Sequence, residues 1–186
     1  MDCRQKLIYK TVENYFYCDN LESERLRTHF LTEADVSAWA EFFEDKDAIE
    51  FIPDFGLKAP DDKAKHWIER QVDRYENKSF GLQALIDKRT NEFIGQCGLL
   101  LQEVDGIKEV EVGYHVLRKH WGKGYAPEAA KLFIDFAFRK NLSPSVISII
   151  HSKNLKSQRV ADKNGLIREK QTAWRDMDVF IYRIHK

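Results

Sequence analysis

Cysteine is scarce in this sequence, with three in 186 residues. Cys3, Cys18 and Cys97 are odd in number, far apart and without metal-ligand spacing. That pattern speaks against a disulfide framework or a metal site and for a reducing compartment, with Cys97 as a core residue. A charge surplus is missing too: 30 basic residues face 30 acidic ones. With no local basic patch, neither nucleic acid nor an anionic membrane is an expected partner. No apolar run approaches the length of a membrane span, and the opening "MDCRQKLIYK" lacks a signal-peptide core. Repeats and low-complexity linkers are absent as well. The expectation is a cytoplasmic, non-membrane protein that carries no metal.

What is present suits one domain. Residues 1–22 read as an N-terminal extension packed on a domain of residues 23–186, with "LIYKTVENYFY" a short strand or helix. "ESERLRTHFLT" has the pattern of a strand. "LTEADVSAWAEFFEDKD" reads as a helix capped by Thr32, and "APDDKAKHWIERQVDRYENK" as one opened by proline and aspartates. From Phe80 the period changes: "FGLQALID", "NEFIGQCGLLLQEV" and "KEVEVGYHVL" are strands with short, turn-rich connections, which predict an antiparallel meander. "GYAPEAAKLFIDFAFRK" is a helix with one narrow polar stripe of Lys131, Asp135 and Arg139, so most of its circumference is buried. A β-branched strand "SVISIIH", a short helix "NLKSQRVADKNG" and two strands around "RDMD" complete the chain. Helices interrupting a mostly antiparallel sheet define an α+β class. The last strands leave an edge that could pair with a second copy as a homodimer.

The chemistry gathers at "WGKGYAPEAA", residues 121–130. It lacks the spacing and the Gly-Lys-Ser/Thr of a P-loop, and Pro127 stands where a dinucleotide fingerprint needs its third glycine. A cradle fits better. Gly122 and Gly124 free successive N–H groups, and the following helix adds its unpaired N–H groups and positive dipole end. Pro127 suits a first helical turn, and Lys123 can reach a phosphate. A plain glycine turn with a helix cap is the competing reading.

Several segments occur in order: "ERL" with "LTEAD", "FIG" at 93–95, "EVGYHV" at 111–116, "WGKGYAPEA" at 121–129 and "NLKSQRVADKNGL" at 154–166. In these the chain resembles the GCN5-related N-acetyltransferase (GNAT) superfamily, in its RimJ/RimL-type branch of ribosomal-protein alanine acetyltransferases. The resemblance runs from about Glu24 to Tyr182. It implies a GNAT fold whose central sheet has a splayed strand pair. It also implies that acetyl-CoA is the cosubstrate, its pyrophosphate held by Trp121, Gly122, Lys123, Gly124, Tyr125 and Ala126. Trp121 departs from the usual Arg or Gln at its position. Backbone groups of Tyr114, His115 and Val116 would hold the thioester oxygen and pantetheine, with Gly113 permitting a bulge. Asn154 and Ser157 would lie along the pantetheine arm, with Arg159 and Lys163 near the 3′-phosphate.

Acetyl transfer to an amine needs a base and a proton for the leaving thiolate. Glu111 lies opposite Val110 and Val112 in the strand's alternation, on the face that can line a cleft, and is the candidate general base. Its alternative is a solvated strand carboxylate. The tyrosine acid that many superfamily members carry is replaced by Ala161, leaving Ser157, Tyr182 or water as proton donors. No cysteine or serine sits in a nucleophile motif, so direct attack within a ternary complex is the expected route. The acceptor is a primary amine, either a protein N-terminus or a small amine. The rival reading is a catalytically silent acyl-CoA-binding module.

Overall fold

The computed structural model describes residues 17–186. β1 (Leu26–Phe30), β2 (Leu82–Asp87), β3 (Phe93–Val104) and β4 (Ile107–Val116) pair antiparallel in sequence order. β3 turns into β4 through Asp105 and Gly106, whose φ values of 49° and 75° match a two-residue hairpin turn. β5 (Ser145–His151), β6 (Ile167–Trp174) and β7 (Met177–His185) extend the sheet in the order β1-β2-β3-β4-β5-β7-β6. β7 is antiparallel to both neighbours, while β4 and β5 are parallel and meet at one register pair, Glu111 with Ile147. Beyond that pair the sheet parts, and the site forms in the gap.

The expected bulge at Gly113 is not observed. β3 and β4 stay in register from Gly95–Val116 to Val104–Ile107, so β4 leaves β5 as one continuous strand. The glycine has a packing role instead: a Cβ at Gly113 would lie 3.3 Å from the side chains of Leu82 and Leu100.

Among the described residues four helices cover the sheet: α1 (Val36–Glu44), α2 (Pro60–Glu76), α3 (Tyr125–Arg139) and α4 (Leu155–Lys163). Thr32 caps a short 3-10 turn, Glu33–Asp35, rather than α1 itself, because Asp35 reaches back to form a capping box. α1 and α2 bury Trp39, Phe43, Ala64 and Ile68 against Leu82, Ala84 and Leu100 of the sheet. On the other face α3 buries Ala129, Phe133, Phe136 and Ala137 against Leu85, Cys97, Leu99 and Val112. Its polar stripe faces solvent, where Lys131 and Asp135 pair at 3.0 Å. Phe133 is fully enclosed, and truncating such a residue to alanine costs about 3–5 kcal/mol.

At the start of the described residues, Tyr17 and Leu21 pack against the core that α3 covers. Tyr17 lies among Phe30, Phe80, Phe133 and Phe136, and its hydroxyl accepts the Leu99 N–H at 3.1 Å. Residues 7–16 of the "LIYKTVENYFY" segment, and Cys3, lie outside the described residues. Cys97 is buried in the core, and burial pushes its thiol pKa up; Cys18 is exposed. Among the described residues no helix is long and apolar enough to cross a membrane.

Candidate active site

Two cavities meet where β4 leaves β5. The larger, about 630 Å³, runs along the glycine loop, the start of α3 and one side of α4. The smaller, about 210 Å³, lies between α2, β4, β5 and the β6–β7 turn. Ala48, Phe51, Tyr114, His115, Asn154 and Ser157 line both, so they form the junction.

The glycine loop is held open from behind. Gly122 and Gly124 take φ values of 75° and 83°, a left-handed conformation that disfavours any side chain. Gly124 is the N-cap of α3, and Pro127 lies in that helix's first turn. Arg25 of the β1 approach donates to the Lys123 carbonyl at 2.8 Å and to Glu128 Oε2 at 2.6 Å. Ser23 Oγ and the Arg25 backbone N–H donate to Glu128 Oε1 at 2.7 and 2.8 Å. Burial opposes the charge on Glu128, but these donors prevail and hold its pKa below the usual carboxylate range. Tyr125 donates to Asp87 Oδ2 at 2.7 Å and stacks under the Arg25 guanidinium at 4.5 Å. Trp121 Nε1 donates to the Val116 carbonyl at 2.7 Å, and Lys156 Nζ sits 4.0 Å over its ring. Thus the tryptophan ties the loop to the end of β4.

Trp121, Gly122, Gly124, Tyr125 and Ala126 all line the larger cavity; Lys123 does not. Its side chain is exposed, and its carbonyl accepts from Arg25 at 2.8 Å. Lys153, Lys156, Arg159 and Lys163 line the α4 side of the cavity, and Asp47 and Glu50 line it as well. His120 lines the same cavity with its buried Nε2 unpartnered. Burial and the nearby lysines Lys123 and Lys119 lower its pKa. Freed loop N–H groups, a helix N-terminus, several cations and an orphaned buried imidazole nitrogen fit a phosphorylated ligand.

At the junction, Asn154 Oδ1 accepts the Ser157 N–H at 3.1 Å and so caps α4. Ser157 Oγ donates to the Tyr114 hydroxyl at 3.1 Å, which donates to the Ser157 carbonyl at 2.9 Å. Burial raises the Tyr114 pKa, keeping the phenol protonated. His115 packs against Trp67, Phe42 and Trp39 at centroid distances of 5.1, 5.7 and 6.5 Å. Burial lowers its pKa to about 4, leaving a neutral ring at pH 7. Val116 lines the larger cavity just before the loop.

Glu111 lines the smaller cavity and is not a solvated strand carboxylate. It is 8% exposed; Gln102 Nε2 donates to its Oε2 at 2.7 Å and the Ile149 N–H to its Oε1 at 3.3 Å. Burial raises its pKa, with the two donors opposing. Tyr182 is elsewhere. Its buried hydroxyl lies 3.4 Å from Gln158 Oε1 on the α3 and α4 face, and it lines neither cavity. Ala161 is likewise enclosed in that core. The structure therefore brings Glu111, Tyr114, Asn154 and Ser157 to one place, and leaves Tyr182 out. Sequence reasoning missed Gln102, His120 and the arginines Arg70, Arg74 and Arg175 of the smaller cavity. These residues carry no motif. Among the described residues no group of three or more His, Cys, Asp or Glu side chains is placed to hold a metal ion.

The model of the acetyltransferase (GNAT) domain family matches residues 25–167. The chain belongs to the GNAT family. Its relatives include the uncharacterized protein YkkB of Bacillus subtilis (strain 168), 32% identical over 149 residues that cover 78% of this chain and 84% of YkkB. An acetyltransferase of Agrobacterium tumefaciens has a similar structure, with TM-score 0.75, 26% identity and coverage of 92% of this chain and 97% of that one. RimL, a ribosomal L7/L12 α-N-protein acetyltransferase solved with coenzyme A, shares the fold at TM-score 0.70 and 15% identity, covering 88% of this chain and 95% of that one. Membership makes this GNAT protein an acyl-CoA-dependent acetyltransferase in the general sense of the family.

Proposed function

We propose that this GNAT protein transfers an acetyl group from acetyl-CoA to a primary amine by direct attack in a ternary complex. The observation that carries the reading is the junction: a buried carboxylate in one cavity and a hydroxyl pair shared with the other meet where the sheet parts. Acetyl-CoA, when bound, supplies an activated thioester. The loop N–H groups of residues 122–126, His120 and the α4 cations would hold its phosphates; the structural neighbour RimL was solved in complex with coenzyme A.

Glu111 takes the proton of the incoming ammonium, directly or through water. Its raised pKa makes it a stronger base than a free carboxylate. Backbone donors of Tyr114 to Val116 polarise the reacting carbonyl, since β4 is released from β5 there. Ser157 and Tyr114 offer the leaving sulfur a hydroxyl proton, a task Ala161 cannot perform. As the N–C bond forms, the C–S bond breaks, one proton goes to Glu111 and one returns to the thiolate.

Calorimetric titration with acetyl-CoA, desulfo-CoA, ATP and NAD tests the reading. CoA-selective binding followed by amine-dependent thiol release supports it. Selective binding without thiol release, for any amine, makes the protein a silent acyl-CoA binder. No binding at millimolar acetyl-CoA removes the reading altogether.

A further inference from the structure

The smaller cavity is positively charged. Arg70 and Arg74, one turn apart on α2, and Arg175 of the β6–β7 turn line it, and Glu111 is the one carboxylate among its lining residues. Among the described residues none of the three guanidiniums forms an ion pair within 4.0 Å of a carboxylate, although Glu111 feels the charges of Arg74 and Arg175; the arginine ion pairs there belong to Arg25, Arg118 and Arg183. Arg74 Nη1 rests on the neutral Gln71 Oε1 at 2.9 Å. Arg175 lies 4.3 Å over the Trp174 ring, with Nη2 3.5 Å from Gln102 Oε1. Gln102 in turn donates to Glu111. The cationic end of the chamber is therefore one amide away from the candidate base.

Such a cluster is unfavourable by itself. Burial and the positive neighbours Arg70 and Arg175 press the Arg74 pKa downward against the opposing charge of Glu111, as expected for like charges sharing a partly desolvated site. The turn that delivers Arg175 is strained as well, with φ values of 49° and 62° at Arg175 and Asp176, neither of them glycine. An incoming anion relieves the repulsion, and bidentate guanidinium contacts to a carboxylate or phosphonate give it orientation.

We propose that the acceptor is a small primary amine that also bears an anionic group, of the amino-acid type, with the anion held by Arg74 and Arg175. This inference rests on the acetyl-transfer reading and deepens it. Apolar walls from Phe51, Ile52, Phe55, Trp67, Trp174 and Met177 favour an apolar body between the two charged groups. The cavity volume of about 210 Å³ is below the roughly 300–1,000 Å³ of pockets for drug-sized ligands, which suits one amino acid. The positive field also lowers the pKa of the bound amine, so more of it is the neutral nucleophile. Polycationic acceptors meet like charge and are rejected.

The test uses the full chain, acetyl-CoA and thiol release with matched acceptors. L-Leucine and L-phenylalanine are compared with isopentylamine and 2-phenylethylamine, with their aminophosphonate analogues, with spermidine and with a C-terminally amidated neutral peptide. The acids are expected to exceed their decarboxylated partners by about ten- to hundredfold in kcat/KM, and the phosphonate arm identifies the preferred anion. The double variant Arg74→Gln, Arg175→Gln should bring that ratio close to one, while Arg175→Lys keeps part of it. Arg175→Gln alone, in an exposed turn, provides the same readout at smaller amplitude should the double variant misfold. Equal or better use of spermidine, the uncharged amines or the amidated peptide overturns the inference, as does a ratio that neither variant changes. Parallel acetyl-CoA calorimetry separates the failures. Loss of cofactor binding in the wild type removes both readings, whereas intact binding with a preference for uncharged or cationic amines removes this one alone.

Discussion

The two cavities are built in opposite ways. The trough beside the glycine loop draws on one local stretch, Trp121, Gly122 and Gly124 to Pro127, whose glycine backbone shapes it, plus one face of α4. The smaller chamber is made of side chains from α2, β3, β4, β5 and the β6–β7 turn, which only the fold brings together. A site of the first kind tolerates side-chain change but depends on φ. A site of the second kind keeps its backbone when its chemistry is altered. Substitutions should therefore fail differently in the two places.

The largest effect is expected in the chamber. Glu111→Gln keeps shape and hydrogen-bonding capacity but cannot take a proton, so kcat should fall by about 10²- to 10⁴-fold while calorimetric acetyl-CoA affinity stays near wild type. Because burial raises the Glu111 pKa, the acidic limb of the kcat/KM–pH profile should lie above the free glutamate value of about 4.3. That limb should vanish in the variant. The sign of the stability effect follows from the same shift. A raised folded pKa means that stability is fullest while Glu111 is protonated and declines as pH rises through that value. Glu111→Gln should then melt higher than wild type at pH 8, by about 2–4 °C for each 1 kcal/mol relieved. A variant that loses activity, binding and stability together would place Glu111 among the structural residues.

In the trough the order reverses. Gly124→Glu should weaken acetyl-CoA binding by about tenfold or more, because a side chain at φ 83° carries roughly 1–3 kcal/mol of backbone strain. Its Cβ would also lie 3.3 Å from Arg25 Nη2, disturbing the clamp that holds the loop. Gly124→Ala separates strain from charge: it should lose stability with a smaller loss of affinity. Unchanged binding in both variants would make the loop an ordinary turn.

Between these sits His115, which faces both cavities. Burial depresses its pKa to about 4. The folded state resists a proton that the unfolded chain takes up near pH 6.5, so stability is fully present above that pH and is lost as pH falls toward 4. The loss should amount to about 1–3 kcal/mol, read by urea melts across that range. His115→Phe, suited to the surrounding Trp67, Phe42 and Trp39, should flatten the dependence.

The same contrast explains what could be read from the chain. The strands, the four helices and the glycine loop follow from periodicity, capping residues and glycine placement, all local signals. Glu111 was accessible because strand alternation fixes which face it occupies. Lys123 was legible as a loop residue, but its place in the loop does not fix the direction of its side chain, which is exposed. Tyr182 illustrates a longer-range failure. Only the insertion of β7 between β5 and β6 decides that its hydroxyl meets α4 rather than the cleft. Arg70 and Arg74 look like the solvated face of an amphipathic helix until Arg175 arrives from a hairpin a hundred residues later. Convergence of that kind leaves no spacing to detect.

Asn154 gives the smallest and sharpest test, because one side chain has two candidate roles at the junction. Its Oδ1 caps α4 through the Ser157 N–H at 3.1 Å. Asn154→Ala should cost about 1 kcal/mol, or about 2–4 °C in Tm, and should raise the acetyl-CoA KM as Ser157 loosens from Tyr114. Asn154→Asp preserves the acceptor oxygen and suits the helix N-terminus, so it should restore the melting temperature. If it restores KM too, Asn154 acts on the cofactor only by holding α4 in place. If stability returns while KM stays high, the amide N–H₂, which aspartate lacks, itself donates to the ligand in the trough.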